Sequence, residues 1–306
     1  MRTETRSRSC LLYTSGYDED GGVCEGHEGD LGEGGGEGVV ILDEIAASTR
    51  RRVEQEKMER PLERVRDRAK VLAEAEVELR QKNPFEAAIG RPGMSFICEV
   101  KRASPSKGLI APQFPYREIA AEYERAGADA ISVLTEPEYF LGSSLYLEEI
   151  HRVVALPLLR KDFVVDEYQI YDAKLLGASA VLLICSLLRE EKLACYLDLC
   201  GELGLAALVE AHDDAEVTMA ARAGARIIGI NNRNLKTFEV DFSNALRLRE
   251  RVPEGTLFVA ESGIRTAEDI RQLAEARVDA VLVGETLMRA SDRAAALGEL
   301  RRGCIR

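Results

Sequence analysis

Eight short apolar runs of strand length recur along this chain: FICEV (96–100), AISVL (130–134), PLLR (157–160), AVLLI (180–184), AALVE (206–210), RIIGI (226–230), LFVAE (257–261) and AVLVG (280–284). Segments rich in Ala, Glu, Arg and Leu at helical spacing lie between them, as at 115–127, 166–177 and 266–276. Strands alternating with helices build a parallel sheet with crossover helices. A repeat sharpens the pattern. Gly127-Ala128-Asp129-Ala130 leads into the second run, Gly177-Ala178-Ser179-Ala180 into the fourth and Gly224-Ala225-Arg226-Ile227 into the sixth, at offsets of 50 and 47 residues. Val278-Asp279-Ala280 enters the eighth without the glycine. Glycine ends the preceding helix, and the small residue lets the chain turn tightly into the strand. Eight units with a two-unit rhythm predict a closed (β/α)8 TIM barrel. The competing open, doubly wound sheet lacks its usual dinucleotide fingerprint, because no GxGxxG follows the first run.

Ahead of the barrel, residues 40–57 and 62–80 read as two charged amphipathic helices separated by Pro61. Residues 1–38 carry three basic and nine acidic side chains, so they supply −6 of the chain's net charge of −12. Nine glycines fall between Gly21 and Gly38 with almost no apolar residues. Such a stretch buries too little surface to offset its ordering entropy, and 1–38 is expected to be a disordered Gly/acid-rich extension, with 39–306 a single barrel domain including its N-terminal helices. The other 268 residues suit one barrel of the usual ~250 residues plus short extra helices.

Composition narrows the function class. No apolar run approaches the ~20 residues of a membrane span, and no apolar h-region follows Arg2, Arg6 and Arg8 as a signal peptide requires. The acidic balance argues against nucleic-acid binding. Seven cysteines without a CxxC pair fit reduced thiols, hence the cytoplasm, and not a disulfide framework or zinc site. Only three histidines exist, with His27 in the tail, so a histidine-based metal site or triad is not expected. His212 is read as a solvated loop residue turned off the face of Glu210.

Barrel enzymes build their sites at the C-terminal strand ends. Here those ends are charged: Glu99 and Lys101 on the first, Lys161-Asp162 on the third, Glu210 on the fifth, Asn231-Asn232-Arg233 on the sixth and Glu261-Ser262-Gly263 on the seventh. Alternation sets Glu99 and Lys101 on one face and turns Cys98 outward. Any one of these fits an ion pair or a solvated strand end. A whole ring of Lys and carboxylates costs stability unless each is paired, so the set of Glu99, Lys101, Lys161, Glu210, Asn231 and Glu261 points to function. After the last two strands, Ser262-Gly263-Ile264 and Gly284-Glu285-Thr286 offer backbone N–H groups near helix N-termini, as phosphate sites do. Thr266-Ala267-Glu268-Asp269 reads as a capping box, and Ser104-Pro105-Ser106-Lys107-Gly108 as a mobile loop over the site.

Taken together, Glu99-Val100-Lys101-Arg102-Ala103-Ser104-Pro105-Ser106, Leu134-Thr135-Glu136, Tyr139-Phe140, Lys161-Asp162-Phe163, Leu208-Val209-Glu210, Gly229-Ile230-Asn231-Asn232-Arg233-Asn234-Leu235, Glu261-Ser262-Gly263-Ile264 and Gly284-Glu285-Thr286-Leu287-Met288 closely resemble the indole-3-glycerol-phosphate synthase family of tryptophan biosynthesis. The resemblance runs from about Ile41 to the C-terminal region, and the two N-terminal helices resemble the family's extension over the barrel mouth. It implies a carboxy-lyase that closes and decarboxylates 1-(2-carboxyphenylamino)-1-deoxyribulose 5-phosphate, giving indole-3-glycerol phosphate, CO2 and water without metal or cofactor.

By resemblance Lys161 is the general acid that protonates the ketone. Glu210 is the first choice for acid/base work in the dehydration, with Lys101 and Glu99 as partners; Lys101 could equally bind the benzoate carboxylate. Asn231 and Glu261 would hold substrate hydroxyls and orient the lysines. Ser262, Gly263, Gly284 and Glu285 would contact the phosphate, assisted by Arg233. Pro105, Phe140, Phe163, Leu182, Leu235 and Ile264 would form the ring slot, although Leu182 also suits ordinary barrel filling. The expected partner is a small, anionic, phosphorylated substrate, with no nucleic acid or membrane, and the chain a monomer or weak homo-oligomer. Two rivals are another phosphate-binding barrel such as phosphoribosylanthranilate isomerase, disfavoured by the missing first-strand Cys-Gly motif, and a non-catalytic barrel binding a phosphorylated ligand.

Overall fold

The computed structural model describes residues 41–76, 83–234 and 237–304. The acidic extension and Leu235 therefore lie outside the described residues, as does the end of the second predicted helix.

Eight parallel strands close into a barrel: β1 (Ser95–Val100), β4 (Ala130–Leu134), β5 (Leu158–Lys161), β6 (Ala180–Ile184), β7 (Ala206–Ala211), β8 (Ile227–Asn231), β9 (Leu257–Glu261) and β10 (Ala280–Val283), with β10 paired back onto β1. Two short strands, β2 (Ala103–Ser104) and β3 (Gly108–Leu109), form a hairpin in the loop after β1. Each barrel strand begins and ends within one residue of its apolar run, because strands buried on both faces read as continuous hydrophobic stretches. Gly127, Gly177 and Gly224 take the left-handed conformation (φ 89°, 84° and 92°) at the turns into β4, β6 and β8. Before β10, where the repeat lacks its glycine, Arg277 adopts it instead (φ 57°), a conformation that costs a non-glycine residue on the order of 1 kcal/mol.

Alternation along the strands sorts two cores. Phe96, Cys98, Val133, Val181, Val209, Ile228 and Val281 point out to the helices, and Cys98 faces away from the barrel interior as expected. Ile97, Leu159, Leu182, Leu208, Ile227, Val259 and Leu282 point in. The N-terminal end of that inner core is closed by a short helix, α3 (Pro84–Ile89), which buries Phe85 and Ile89. Asn83 caps it, accepting from the Phe85 and Glu86 N–H groups and donating to the Ser179 and Gly204 carbonyls at 3.0 and 2.9 Å. One side chain thus fixes the plug to two strand entries.

The first helix, α1 (Ile41–Glu59), is the longest and reaches the mouth with its N-terminal turns. It is tied there through polar groups at helical spacing. Ser48 donates to Glu138 at 2.6 Å, Arg52 grips Asp162 with its Nη2 at 2.8 and 3.0 Å, and Lys57 and Arg60 reach Asp166 and Asp172, each at 2.8 Å. The next helix, α2 (Leu62–Ala75), leaves the mouth and packs on the barrel's outer helix α6 (Glu167–Leu175). Among the described residues no helix is long and apolar enough to cross a membrane.

Candidate active site

The inward-facing positions explain where the polar groups arise. Two residues beyond an inner-core side chain, the same face of the strand emerges at the barrel mouth. Ile97 is followed in this way by Glu99, Leu159 by Lys161, Leu208 by Glu210, and Val259 by Glu261, while Ile227 is followed by Gly229 and then Asn231. All five polar side chains line one cavity of about 420 Å³ above the inner core.

Lys161 lines it beside two carboxylates. Its Nζ lies 3.3 Å from Glu210 Oε2 and 3.4 Å from Glu261 Oε2. Burial alone would discharge this ammonium, but the charges of Glu210, Glu261 and Glu99 outweigh it and raise the pKa well above the ordinary lysine value. Glu210 is affected in the opposite sense. Burial pushes its pKa up, yet the Lys161 charge, with His212 and Asn231, holds it well below the usual carboxylate range. Asn231 Nδ2 donates to Glu210 Oε1 at 3.2 Å. Glu261 differs again: burial and the neighbouring Glu210 and Glu99 charges outweigh Lys161, and its pKa is pushed up to about 7. Its Oε1 is buried with no hydrogen-bond donor, in a notch left by the missing side chain of Gly229 and walled by Leu208.

Just past the end of β1, Lys101 is hydrogen-bonded to Glu99. Gly284 makes room for this pair, because a Cβ there would overlap Glu99 Oε1 and sit 3.0 Å from Lys101 Nζ. The Glu99–Lys101 pair thus gives this position a reason to be glycine apart from the expected phosphate contact. Gly284→Ala is expected to lower kcat about a hundredfold with a smaller rise in KM, measurable by steady-state kinetics; a variant changed only in KM would show that the close approach matters for binding alone.

The cavity has an apolar side. Phe140 and Phe163 sit with ring centroids 5.8 Å apart, joined by Pro105, Leu182 and Ile264, with Leu42 and Ile45 of α1 above. Glu136 presents Phe140 by accepting the Glu138, Tyr139 and Phe140 N–H groups at 2.9, 2.8 and 3.0 Å, which folds the loop after β4 around one carboxylate. The cavity is also lined by Ser262, Gly263, Gly284, Glu285, Arg233, Arg265 and Arg289. Ser262 and Gly263 both take left-handed backbone (φ 67° and 81°). Glu285 is ringed by cations there: Arg289 at 3.1 Å, Lys107 at 3.8 Å and Arg233 at 4.0 Å.

All the expected site residues except Leu235, which is outside the described residues, thus line this cavity. One expectation is overturned. His212 does not lie in solvent: its ring is wedged between two carboxylates, with Nε2 3.4 Å from Glu210 Oε1 and Nδ1 3.0 Å from Glu216 Oε2. Position 212 is two beyond 210, so the strand period returns it to Glu210's side. Asn232, named at the sixth strand end but given no role there, donates its side chain to the Ser262 carbonyl at 3.0 Å and accepts the Ala245 N–H. Ile41, Leu42, Ile45 and Phe238 were missed, since their contact with the site is long-range.

A family model described as indole-3-glycerol phosphate synthase matches residues 42–300. The chain belongs to the indole-3-glycerol phosphate synthase family. A synthase of that name from Ruminiclostridium cellulolyticum is 55% identical over 86% of this chain and 99% of its own. Another, from Thermoanaerobacter pseudethanolicus, is 46% identical over 83% and 94%. Among solved structures, 3-hexulose-6-phosphate synthase from Salmonella typhimurium superposes with a TM-score of 0.57 at 15% identity, covering 69% of this chain and 98% of that one. That likeness concerns the barrel alone. The synthase family's match begins at the second residue of α1, so the matched region takes in this helix together with the barrel.

Proposed function

We propose that the chain performs the synthase reaction through Lys161, converting 1-(2-carboxyphenylamino)-1-deoxyribulose 5-phosphate to indole-3-glycerol phosphate, CO2 and water. The observation that carries this reading is an ammonium held charged by buried carboxylates in one cavity that is also lined by the Phe140–Phe163 pair and by a cation-rich loop pair. The anthranilate ring fits the Phe140–Phe163 side, and the phosphate fits the Ser262–Gly263 and Gly284–Glu285 loops.

The aromatic carbon bearing the carboxylate attacks the ketone carbon, and Lys161 protonates the ketone oxygen as it gains negative charge. Loss of CO2 restores the benzene ring. The new hydroxyl then leaves as water with one added proton, while a proton departs from the neighbouring carbon to complete the pyrrole ring. Glu210 is the base in this scheme and Lys101, paired with Glu99, the second acid. Once Lys161 has given up its proton, the charge that depresses Glu210 is gone, so the base strengthens after the step that precedes its use. Asn231 and Glu261 hold the substrate hydroxyls.

The test is the appearance of indole fluorescence from the purified chain and this substrate. Turnover is expected without added metal or cofactor, and no product from properly folded protein would overturn the reading. Cys98, Cys185, Cys200 and Cys304 are free thiols, which supports a cytoplasmic setting; the chain acts there as a monomer or weak homo-oligomer in this reading.

A further inference from the structure

The mechanism above leaves His212 without a task, although its half-buried ring stands against the proposed base. β7 ends at Ala211, and the next residue is caught between two elements. Glu216, in the first turn of helix α8 (Asp214–Ala223), accepts both the His212 backbone N–H at 2.8 Å and the ring Nδ1–H at 3.0 Å, each on Oε2. Glu216 is itself anchored, because its N–H donates to the capping residue Asp213 at 2.9 Å. From α9 (Ser243–Leu248), Asn244 donates to the His212 carbonyl at 3.1 Å. Backbone and ring are therefore both held, and Nε2 is left facing Glu210 Oε1.

The ionisable groups around the ring come from four places. β7 contributes Glu210, and α8 with its cap contributes Glu216 and Asp213. The turn after β6 contributes Cys185, whose thiol burial keeps protonated and whose Sγ lies 3.6 Å from the Glu216 carbonyl. β5 contributes Lys161, on the far side of Glu210. β8 and α9 present the neutral Asn231 and Asn244. Burial would discharge the imidazole, but the charges of Glu210 and Glu216, with the hydrogen bond to Glu216, push its pKa up to about 10, so the ring is an imidazolium at neutral pH.

We infer that His212 is a positioning residue for Glu210: set between Glu210 and Glu216, its Nε2 pairs electrostatically with Oε1 at 3.4 Å, beside the hydrogen bond from Asn231, and thereby leaves Oε2 as the oxygen that meets Lys161 and the substrate. The inference rests on the reading of Glu210 as an acid/base group. It assigns Glu216 a part in the site as well, since that carboxylate steers the ring from outside the cavity.

The experiment is a histidine titration by NMR on the full chain, compared with Glu210→Gln and Glu216→Gln. The chain has three histidines, and His212→Gln identifies the resonance. His212 is expected to stay protonated through pH 8, with a midpoint that falls by at least about one unit in Glu210→Gln, as linkage between two touching groups requires. A midpoint near that of a free histidine, or one indifferent to Glu210→Gln, would overturn the inference. Kinetics supply the second arm. His212→Gln should lower kcat by about tenfold or more with KM within about twofold, and its acid limb should move to higher pH as Glu210 loses a cationic neighbour. In single-turnover experiments on the Glu210→Gln background the same replacement should cost less than about twofold; an equal loss in both backgrounds would mean that His212 acts on the fold and not through Glu210. Should Glu210→Gln alone keep full turnover, the acid/base reading of Glu210 fails, while the titration still reports whether the two side chains are coupled.

Discussion

Lys161→Ala is expected to reduce single-turnover ring closure by at least about a thousandfold, within the range of general acids that act on a developing oxyanion. The same change should be visible without substrate. Lys161 is the cation within 3.4 Å of both Glu210 and Glu261. Removing it leaves buried carboxylates facing one another, a loss of about 3–5 kcal/mol when both stay ionised. The variant can recover part of this by binding a proton, so its stability should rise as pH is lowered from 8 toward 5 relative to the parent protein. Denaturant titrations at both pH values measure that difference. Full single-turnover rate in a folded Lys161→Ala protein would sink the assignment of Lys161 as the acid. A slow rate accompanied by unfolding at pH 8 would be resolved by repeating the assay at the pH where the variant is folded.

Much of the architecture was legible because its causes are local. Strands buried on both faces need uninterrupted apolar residues, and runs such as AVLLI at 180–184 have no other natural use between helical segments. The site was legible for a related reason: a Lys or Glu placed two residues past an inner-core position, as Lys161 follows Leu159, has no place in a stable core unless something pairs with it. What stayed hidden depends on chain segments far apart. Arg52 meets Asp162 across 110 residues, and neither shows from its neighbours that it will find the other. The plug helix α3 spans six residues, too few for periodicity to register, and its anchoring by Asn83 is visible only with the strand entries in place. Gly284 read as a phosphate-loop glycine because its second reason, the Glu99 carboxylate lying where a Cβ would be, belongs to the adjoining strand β1.

Glu261→Gln is expected to stabilise the protein while impairing it. Glu261 is 1% exposed, one of its oxygens has no donor, and Glu210 and Glu99 repel its charge. Its pKa of about 7 in the folded state stands above the ordinary 4.5, so the folded chain binds a proton that the unfolded chain releases. A carboxyl raised in this way favours folding less and less as pH climbs from about 4.5, and the cost is complete once pH exceeds about 7. A shift of that size corresponds to about 3 kcal/mol at pH 8. Glutamine never takes on the charge. The gain of the variant over the parent should be absent near pH 4, grow through the interval and level off above 7, as thermal or denaturant unfolding would record. Lys161 loses one counter-charge in the variant, which subtracts from the gain without reversing it, since the raised pKa already includes the attraction of Lys161. Turnover should fall about a hundredfold, because the amide cannot hold a substrate hydroxyl and the lysine as the carboxylate does. A variant no more stable than the parent at pH 8 would show that Glu261 is ionised at little cost and that its unpaired oxygen finds a partner in solution. A more stable and slower variant would mean that a buried carboxyl is kept in the barrel mouth against the interest of the fold, for the sake of the reaction.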